Sequence, residues 1–372
     1  MVGDFKNITV VGLGMIGGSV VKALKTKGYG GQIFGLDQNV ESIEEAFRNG
    51  FIDNSTSDQK EIIEKSDLII LATPIGHFPK LLKSIKEDLK EQCIVTDVGS
   101  VKASVHQIAE SILEPSQVFI GGHPMIGSEK SGFKASKGHL FENAYYFLTG
   151  VKKESNAMLA LKEVVELMGA KVCIVGPEEH DRIVARTSHI PHLSAALLVN
   201  LIGIDQDALM DYVGGGFRDT TRIASGNPDM WTDIFIDNKK EVLDAVDVFM
   251  QQLEQFKKNL MAENKAQIVY NLNKAKVTRE MIPKHLMDSI EQEYALFIDV
   301  QDRPGMIASV AGLMAENRIN IKDIEILHAR ETVPGVLKVG FYSNTERSHA
   351  KQVLEDSEFG SKHTIQNGSE MQ

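Results

Sequence analysis

The chain has 372 residues, 42% of them hydrophobic and 24% charged, with a formal net charge of −11. That length exceeds one ordinary core and predicts two to three domains of a soluble globular protein. The acidic balance argues against a nucleic-acid-binding role, which needs clustered Lys and Arg, and no apolar run approaches the ~20 residues that span a bilayer.

From the N-terminus, short apolar runs alternate with helical stretches. Residues 8–11 read as a strand leading into Gly12, with a helical pattern through Leu24. Residues 32–36, 67–72 and 93–96 read as further buried strands, the first ending at Asp37. That rhythm gives βαβ units and a parallel sheet with right-handed crossovers. Residues 118–121, 144–148 and 171–175 can extend the sheet, the last after a helix over 156–168. The two cysteines, Cys93 and Cys173, lie in these apolar runs and read as buried thiols. No basic-then-apolar leader follows Met1, so the expected compartment is the cytoplasm.

From residue 178 the pattern turns helical, interrupted at Pro191 and Pro228, with 231–273 predicted as one or two long helices. The apolar surplus of this region predicts a homodimer interface. Residues 283–293 read as a linker. The order strand 294–300, helix to 317, strand 319–327, strand 335–342, helix 348–356 and a weak strand near 362–366 is βαββαβ, a ferredoxin-like unit. The expected domains are therefore 1–177, 178–282 and 294–372. The fold class is α/β, with a Rossmann-type sheet domain, an all-helical domain and a small ferredoxin-like domain.

Gly12-Leu13-Gly14-Met15-Ile16-Gly17 matches G-x-G-x-x-G between a strand and a helix, with Asp37 at the end of the next strand. Gly12 permits the tight turn, Gly14 lets backbone amides approach a pyrophosphate, and Gly17 allows close helix–sheet packing. The helix N-terminus favours phosphate, and Asp37 can bind a ribose diol while repelling a 2′-phosphate, so NAD is expected over NADP. Thr73-Pro74, after the third strand, can form a cofactor wall at the switch point or a plain turn.

Polar groups follow in sequence. Ser100 ends the fourth strand region, at the cofactor edge. Residues 121–132 form a Gly- and Pro-rich loop holding His123 and Glu129. Imidazole is the side chain best suited to proton transfer near neutrality, so His123 points to proton removal coupled to hydride transfer. His189 and His192 stand at i, i+3, yet no Cys or carboxylate lies at ligand spacing, and no metal is expected. Lys102 reads as part of a solvated face.

Three spaced motifs carry a resemblance: Gly121-Gly122-His123-Pro124-Met125 with Gly127 and Glu129; Ser188-His189-Ile190-Pro191-His192; and Phe217-Arg218-Asp219-Thr220-Thr221-Arg222-Ile223-Ala224 with Pro228, Met230 and Trp231. Over residues 5–282 the chain resembles prephenate dehydrogenase of tyrosine biosynthesis. Residues 294–366 are similar to an ACT regulatory domain through Asp302-Arg303-Pro304-Gly305 and Asn320. No segment like chorismate mutase flanks these regions, so a bifunctional enzyme is not expected.

The resemblance implies oxidative decarboxylation of prephenate to 4-hydroxyphenylpyruvate. Hydride leaves C4 of the ring for NAD⁺ as the C4 hydroxyl loses its proton, and the C1 carboxylate departs as CO₂. It assigns His123 as proton acceptor and Ser100 as orienter of the hydroxyl. Arg222 becomes a carboxylate clamp, whose fork matches a planar anion. His189 becomes a substrate contact, Glu129 a gate, and Asp219 and Trp231 supports around Arg222. L-tyrosine is the expected effector, bound around Asp302, Gly305 and Asn320. Arogenate is the alternative substrate, and a non-catalytic amino-acid sensor the alternative from another class.

Overall fold

β-branched and apolar residues at Asn7–Val11 form β1, and the same chemistry builds β2 (Gln32–Leu36), β3 (Leu68–Leu71), β4 (Ile94–Asp97) and β5 (Val118–Pro124). β6 (Tyr145–Thr149) and β7 (Lys171–Val175) complete a sheet of order β2-β1-β3-β4-β5-β6-β7. The computed structural model describes residues 5–54, 58–126, 131–150, 152–203, 209–281, 294–300, 305–327, 335–357 and 365–367. They fall into two units, Met1–Met261 and Ala262–Gln372.

β1 to β5 are parallel. Their intervening segments carry α1 (Met15–Thr26), α2 (Val40–Arg48), α3 (Gln59–Lys65), α4 (Phe78–Ile85) and α5 (Ala103–Ile112). Both faces are covered, so alternate strand side chains enter separate cores. Ile8, Val10, Leu68 and Ile70 join one; Val11, Ile69, Leu71 and Val95 join the other.

β6 runs antiparallel to β5, and β7 parallel to β6, a direction that strand patterning leaves open. A parallel return requires a crossover, usually a helix. Between β5 and β6 the described residues hold only the short turn Phe133–Ala135. α6 (Asn156–Leu167) then links β6 to β7. Cys93 is buried and Cys173 half-buried, both as free thiols.

Among the described residues, the rest of the first unit is helical: α7 (Pro177–Val184), a π turn (Ala185–His189), α8 (Ile190–Gly203), a 3₁₀ turn (Met210–Tyr212), α9 (Gly215–Thr221), a 3₁₀ turn (Arg222–Ser225), α10 (Pro228–Asp237) and α11 (Lys239–Met261). The region expected as one or two helices is thus broken twice, since α12 (Lys265–Met281) follows. Asn238 ends α10 and turns its side chain inward, while Glu263 adopts φ +46°, a left-handed stop between α11 and α12.

In the second unit, β8 (Ala295–Val300), α13 (Met306–Glu316), β9 (Asp323–Leu327), β10 (Gly335–Gly340), α14 (Asn344–Asp356) and β11 (Ile365–Asn367) give βαββαβ. The sheet order is β11-β8-β10-β9, antiparallel throughout. α14 starts four residues earlier than periodicity suggests because Ser343 caps it, accepting from the Glu346 amide at 3.2 Å. Leu296, Ile298, Val310, Met314, Leu337 and Val339 form its core.

Candidate active site

Five parallel strands bring five predicted positions to one edge of the sheet. Gly12 follows β1, Asp37 follows β2, Thr73 follows β3, Ser100 follows β4, and His123 lies at the end of β5. Open α/β sheets bind ligands at this carboxyl edge.

The three glycines of the first turn differ in their surroundings. Gly12 has φ +97°, and a Cβ there would lie 2.7 Å from the Ala72 carbonyl oxygen. A Cβ on Gly17 would sit 1.9 Å from the Gly12 oxygen. Gly14 has nothing within 4 Å of its Cβ direction, so it borders open space. No side chain caps α1 at Gly14. Its first-turn amides therefore remain available to an anion, an arrangement that fits a pyrophosphate. Asp37 closes the loop: one carboxylate oxygen accepts the Leu13 amide at 2.5 Å, the other the Asn39 amide at 2.7 Å. Met15 opens α1, and Ile16 packs on the core beneath. Pro74 is exposed, while the Thr73 hydroxyl is buried without a partner among the described residues. A buried orphan hydroxyl at this edge fits a cofactor wall.

His123 stands on a strand, not in a loop. It is paired with Phe147 of β6 and is 8% exposed. Gly121 and Gly122 are required by packing: a Cβ on Gly122 would lie 2.4 Å from the Asp97 oxygen, and one on Gly121 2.9 Å from Lys102 Cδ. The room left by Gly121 admits Lys102. Its expected place on a solvated face is therefore corrected: the side chain is fully buried and ion-paired with Asp97. Asp97 also accepts the amides of Gly99 at 2.7 Å and Gly122 at 3.0 Å. Ser100 is half-buried in the same turn.

His123 Nδ1 lies 2.8 Å from His180 Nε2, and His180 Nδ1 lies 2.8 Å from Asp181 Oδ1. Asp181 in turn accepts the amides of Lys102 at 2.7 Å and Ala103 at 2.8 Å, capping α5. Burial, then His180, Lys102 and His189, hold His123 well below the ordinary imidazole range. Burial also lowers His180, outweighing Asp181. Burial works to raise the Asp181 carboxyl, but the bonds from His180 and the two amides prevail and hold it low. Sequence reasoning misses His180 and Asp181. A His-Asp pair in a Pro-initiated helix directly after a strand is the available signal.

The helical segment supplies His189, which is 1% exposed in the π turn. Asn238 Nδ2 donates to the Asp181 carbonyl at 2.9 Å and lies 3.2 Å from His189 Nδ1. A carbonyl only accepts, so the nitrogen end of Asn238 is fixed and His189 Nδ1 accepts; its hydrogen resides on Nε2. Burial pushes His189 down to about 4. His192 stacks flat on Trp231, with ring centroids 3.6 Å apart. Gly226 abuts Trp231, where a Cβ would lie 2.7 Å from Nε1. Asn227 caps α10 by accepting the Asp229 amide at 2.9 Å. The turn that carries Arg222 is thereby pinned between α9 and α10. Arg222 and Asp219 are exposed, and neither joins an ion pair among the described residues.

Glu129 and Asp302 lie outside the described residues. Gly305 precedes α13 with φ +92°, and Asn320 is exposed before β9.

The model of the prephenate dehydrogenase nucleotide-binding domain matches residues 20–174, that of the prephenate dehydrogenase dimerization domain 176–274, and that of the ACT domain 294–356. A prephenate dehydrogenase of Bacillus subtilis is 35% identical, with 94% of this chain and 95% of that one covered. The crystal structure of prephenate dehydrogenase from Aquifex aeolicus, in complex with hydroxyphenyl propionate and NAD⁺, superposes with a TM-score of 0.68 at 38% identity. That match covers 75% of this chain and 98% of the other. An arogenate dehydrogenase structure from Synechocystis gives 0.66 at 29% identity, covering 74% and 99%. With its nucleotide-binding edge, its buried histidine and relatives matched over nearly their whole length, the chain belongs to the prephenate dehydrogenase family of oxidoreductases.

Proposed function

We propose that this chain catalyses the NAD-dependent oxidative decarboxylation of prephenate to 4-hydroxyphenylpyruvate in tyrosine biosynthesis, under feedback control by L-tyrosine. The observation that carries the reading is His123: a neutral imidazole on a strand at the edge where the glycine loop receives the cofactor.

NAD⁺, when bound, supplies the hydride acceptor. The first-turn amides of α1 and the open face of Gly14 take its pyrophosphate, Asp37 its ribose hydroxyls, and Thr73 fills part of the wall. His123 accepts the C4 hydroxyl proton as the C4 carbon is oxidised, and Ser100 orients that hydroxyl. Loss of the C1 carboxylate as CO₂ leaves a phenolate, to which His123 returns the proton, so the turnover closes with no net proton released. His189 donates from Nε2 to a substrate oxygen. Arg222 clamps a carboxylate, with Asp219 and the His192–Trp231 stack supporting its turn.

Steady-state formation of NADH, followed by absorbance, tests the reading. Turnover of prephenate with NAD⁺ is expected; no signal with either NAD⁺ or NADP⁺ would sink it and leave the amino-acid sensor. Arogenate is the second reading, supported by the similar Synechocystis arogenate dehydrogenase, and side-by-side turnover decides between the substrates. L-tyrosine added to the full chain should lower the rate through the ACT domain. Inhibition unchanged in a chain ending at residue 289 would place the effector elsewhere.

A further inference from the structure

We infer that His180 and Asp181 are positioning residues that fix the tautomer of His123, leaving Nε2 as its proton-accepting nitrogen. The inference rests on His123 being the base and adds which of its atoms works and what makes it so.

The chain of constraints begins at Asp181. Its ionised carboxylate can only accept, and it takes two backbone amides from the start of α5 as well as the contact from His180. His180 Nδ1 must therefore carry hydrogen; an unprotonated nitrogen there would set lone pair against lone pair at 2.8 Å. A neutral His180 then has a bare Nε2, and the 2.8 Å contact with His123 Nδ1 is a bond only if His123 donates. With hydrogen on Nδ1, His123 has its free lone pair on Nε2. If His180 were instead cationic, it would donate from both nitrogens, and His123 would carry its hydrogen on Nε2 and lose its use as an acceptor.

The surroundings of the pair favour the neutral arrangement. His180 faces His123 from β5, Phe147 from β6, Lys102 at the start of α5, and Asp97 at the end of β4, besides Asp181 on its own helix. His123 additionally senses His189 from the π turn. Lys102 is locked to Asp97, and Asn238 holds the Asp181 carbonyl from the junction of α10 and α11. Both contacts of the relay are buried, so water does not compete for the nitrogens that make them.

Two measurements on the full chain decide the matter. In protein labelled with ¹⁵N in its 11 histidines, long-range ¹H–¹⁵N correlation spectra report tautomers, and the His123 signals are those lost in His123→Gln. The expected pattern is hydrogen on Nδ1; hydrogen on Nε2 would overturn the inference. His180→Phe keeps an aromatic ring in the site but removes the acceptor. It should lower kcat on the order of 10²-fold, the lower range of general-base contributions, with both KM values within about threefold. His180→Gln, whose amide oxygen can again accept, should recover part of that loss. Unchanged kcat in His180→Phe would also overturn it. A wild-type chain that does not oxidise prephenate would sink the proposed function, and a His180→Phe chain that does not fold would remove the kinetic arm. In either event the wild-type spectrum still decides which nitrogen of His123 carries hydrogen.

Discussion

His123 combines burial with three cationic or potentially cationic neighbours, and each disfavours its charged form. Activity requires the neutral form, so the acid limb of kcat/KM should fall below the ordinary histidine value of about 6.5 rather than at it. A limb centred above that value would contradict the assignment. His123→Gln should lower kcat by roughly 10² to 10⁴ with little change in KM, measured as NADH formation. Lys102→Met strands the Asp97 carboxylate in the interior, and urea unfolding should show a loss of about 3–5 kcal/mol. These residues also show what the chain discloses. His123 is legible because its type, its glycine neighbours and its place beyond a nucleotide motif agree. His180 is not, because the contact joins residues 57 apart on different elements. Lys102 reads wrongly as solvated because its burial depends on the room left by Gly121 on β5, which composition does not connect to it.

At the scale of elements, the glycine loop separates fold from ligand. Gly17→Ala forces a Cβ into the Gly12 carbonyl, so it should both destabilise the chain and abolish NAD binding. Gly14→Ala meets no protein atom and has an ordinary φ of −73°. It should cost under about 1 kcal/mol of stability, yet raise the KM for NAD⁺ on the order of 10-fold. Equal KM in wild type and Gly14→Ala would remove the pyrophosphate from this turn. The strands are legible because fully buried parallel strands are continuous apolar runs between turn residues. The reversal at β6 is not, since strand direction depends on what lies between strands. The two breaks in the helical region escape periodicity because Asn238 and Glu263 interrupt the backbone without Gly or Pro.

Across the whole molecule, two properties extend beyond the site. α8 and α11 expose Leu197, Leu201, Leu253 and Leu260, each more than half accessible. Such apolar surface, on the segment that matches a dimerization domain, supports a homodimer. Sedimentation should give a dimer, and Leu201→Glu with Leu253→Glu should shift it toward monomer. The second property is acid sensitivity. His123, His180 and His189 are lowered in the folded state, so below about 6.5 the unfolded chain binds more protons and stability falls with pH. For His189 the loss runs from about 6.5 down to about 4, at a slope of up to about 1.4 kcal/mol per pH unit for each such histidine. Chemical denaturation at successive pH values should show that slope; a flat profile would contradict their burial as neutral rings. The buried knot around Asp181 bears on how the first unit holds together. Its carboxylate caps α5 of the nucleotide-binding region, while its carbonyl is held by Asn238 from the junction of α10 and α11. A fragment ending at residue 176 would lose that cap and uncover Lys102 and His123. Residues on both sides of the boundary between the two family matches therefore meet inside one compact unit, Met1–Met261, and share its helix cap and its buried charges.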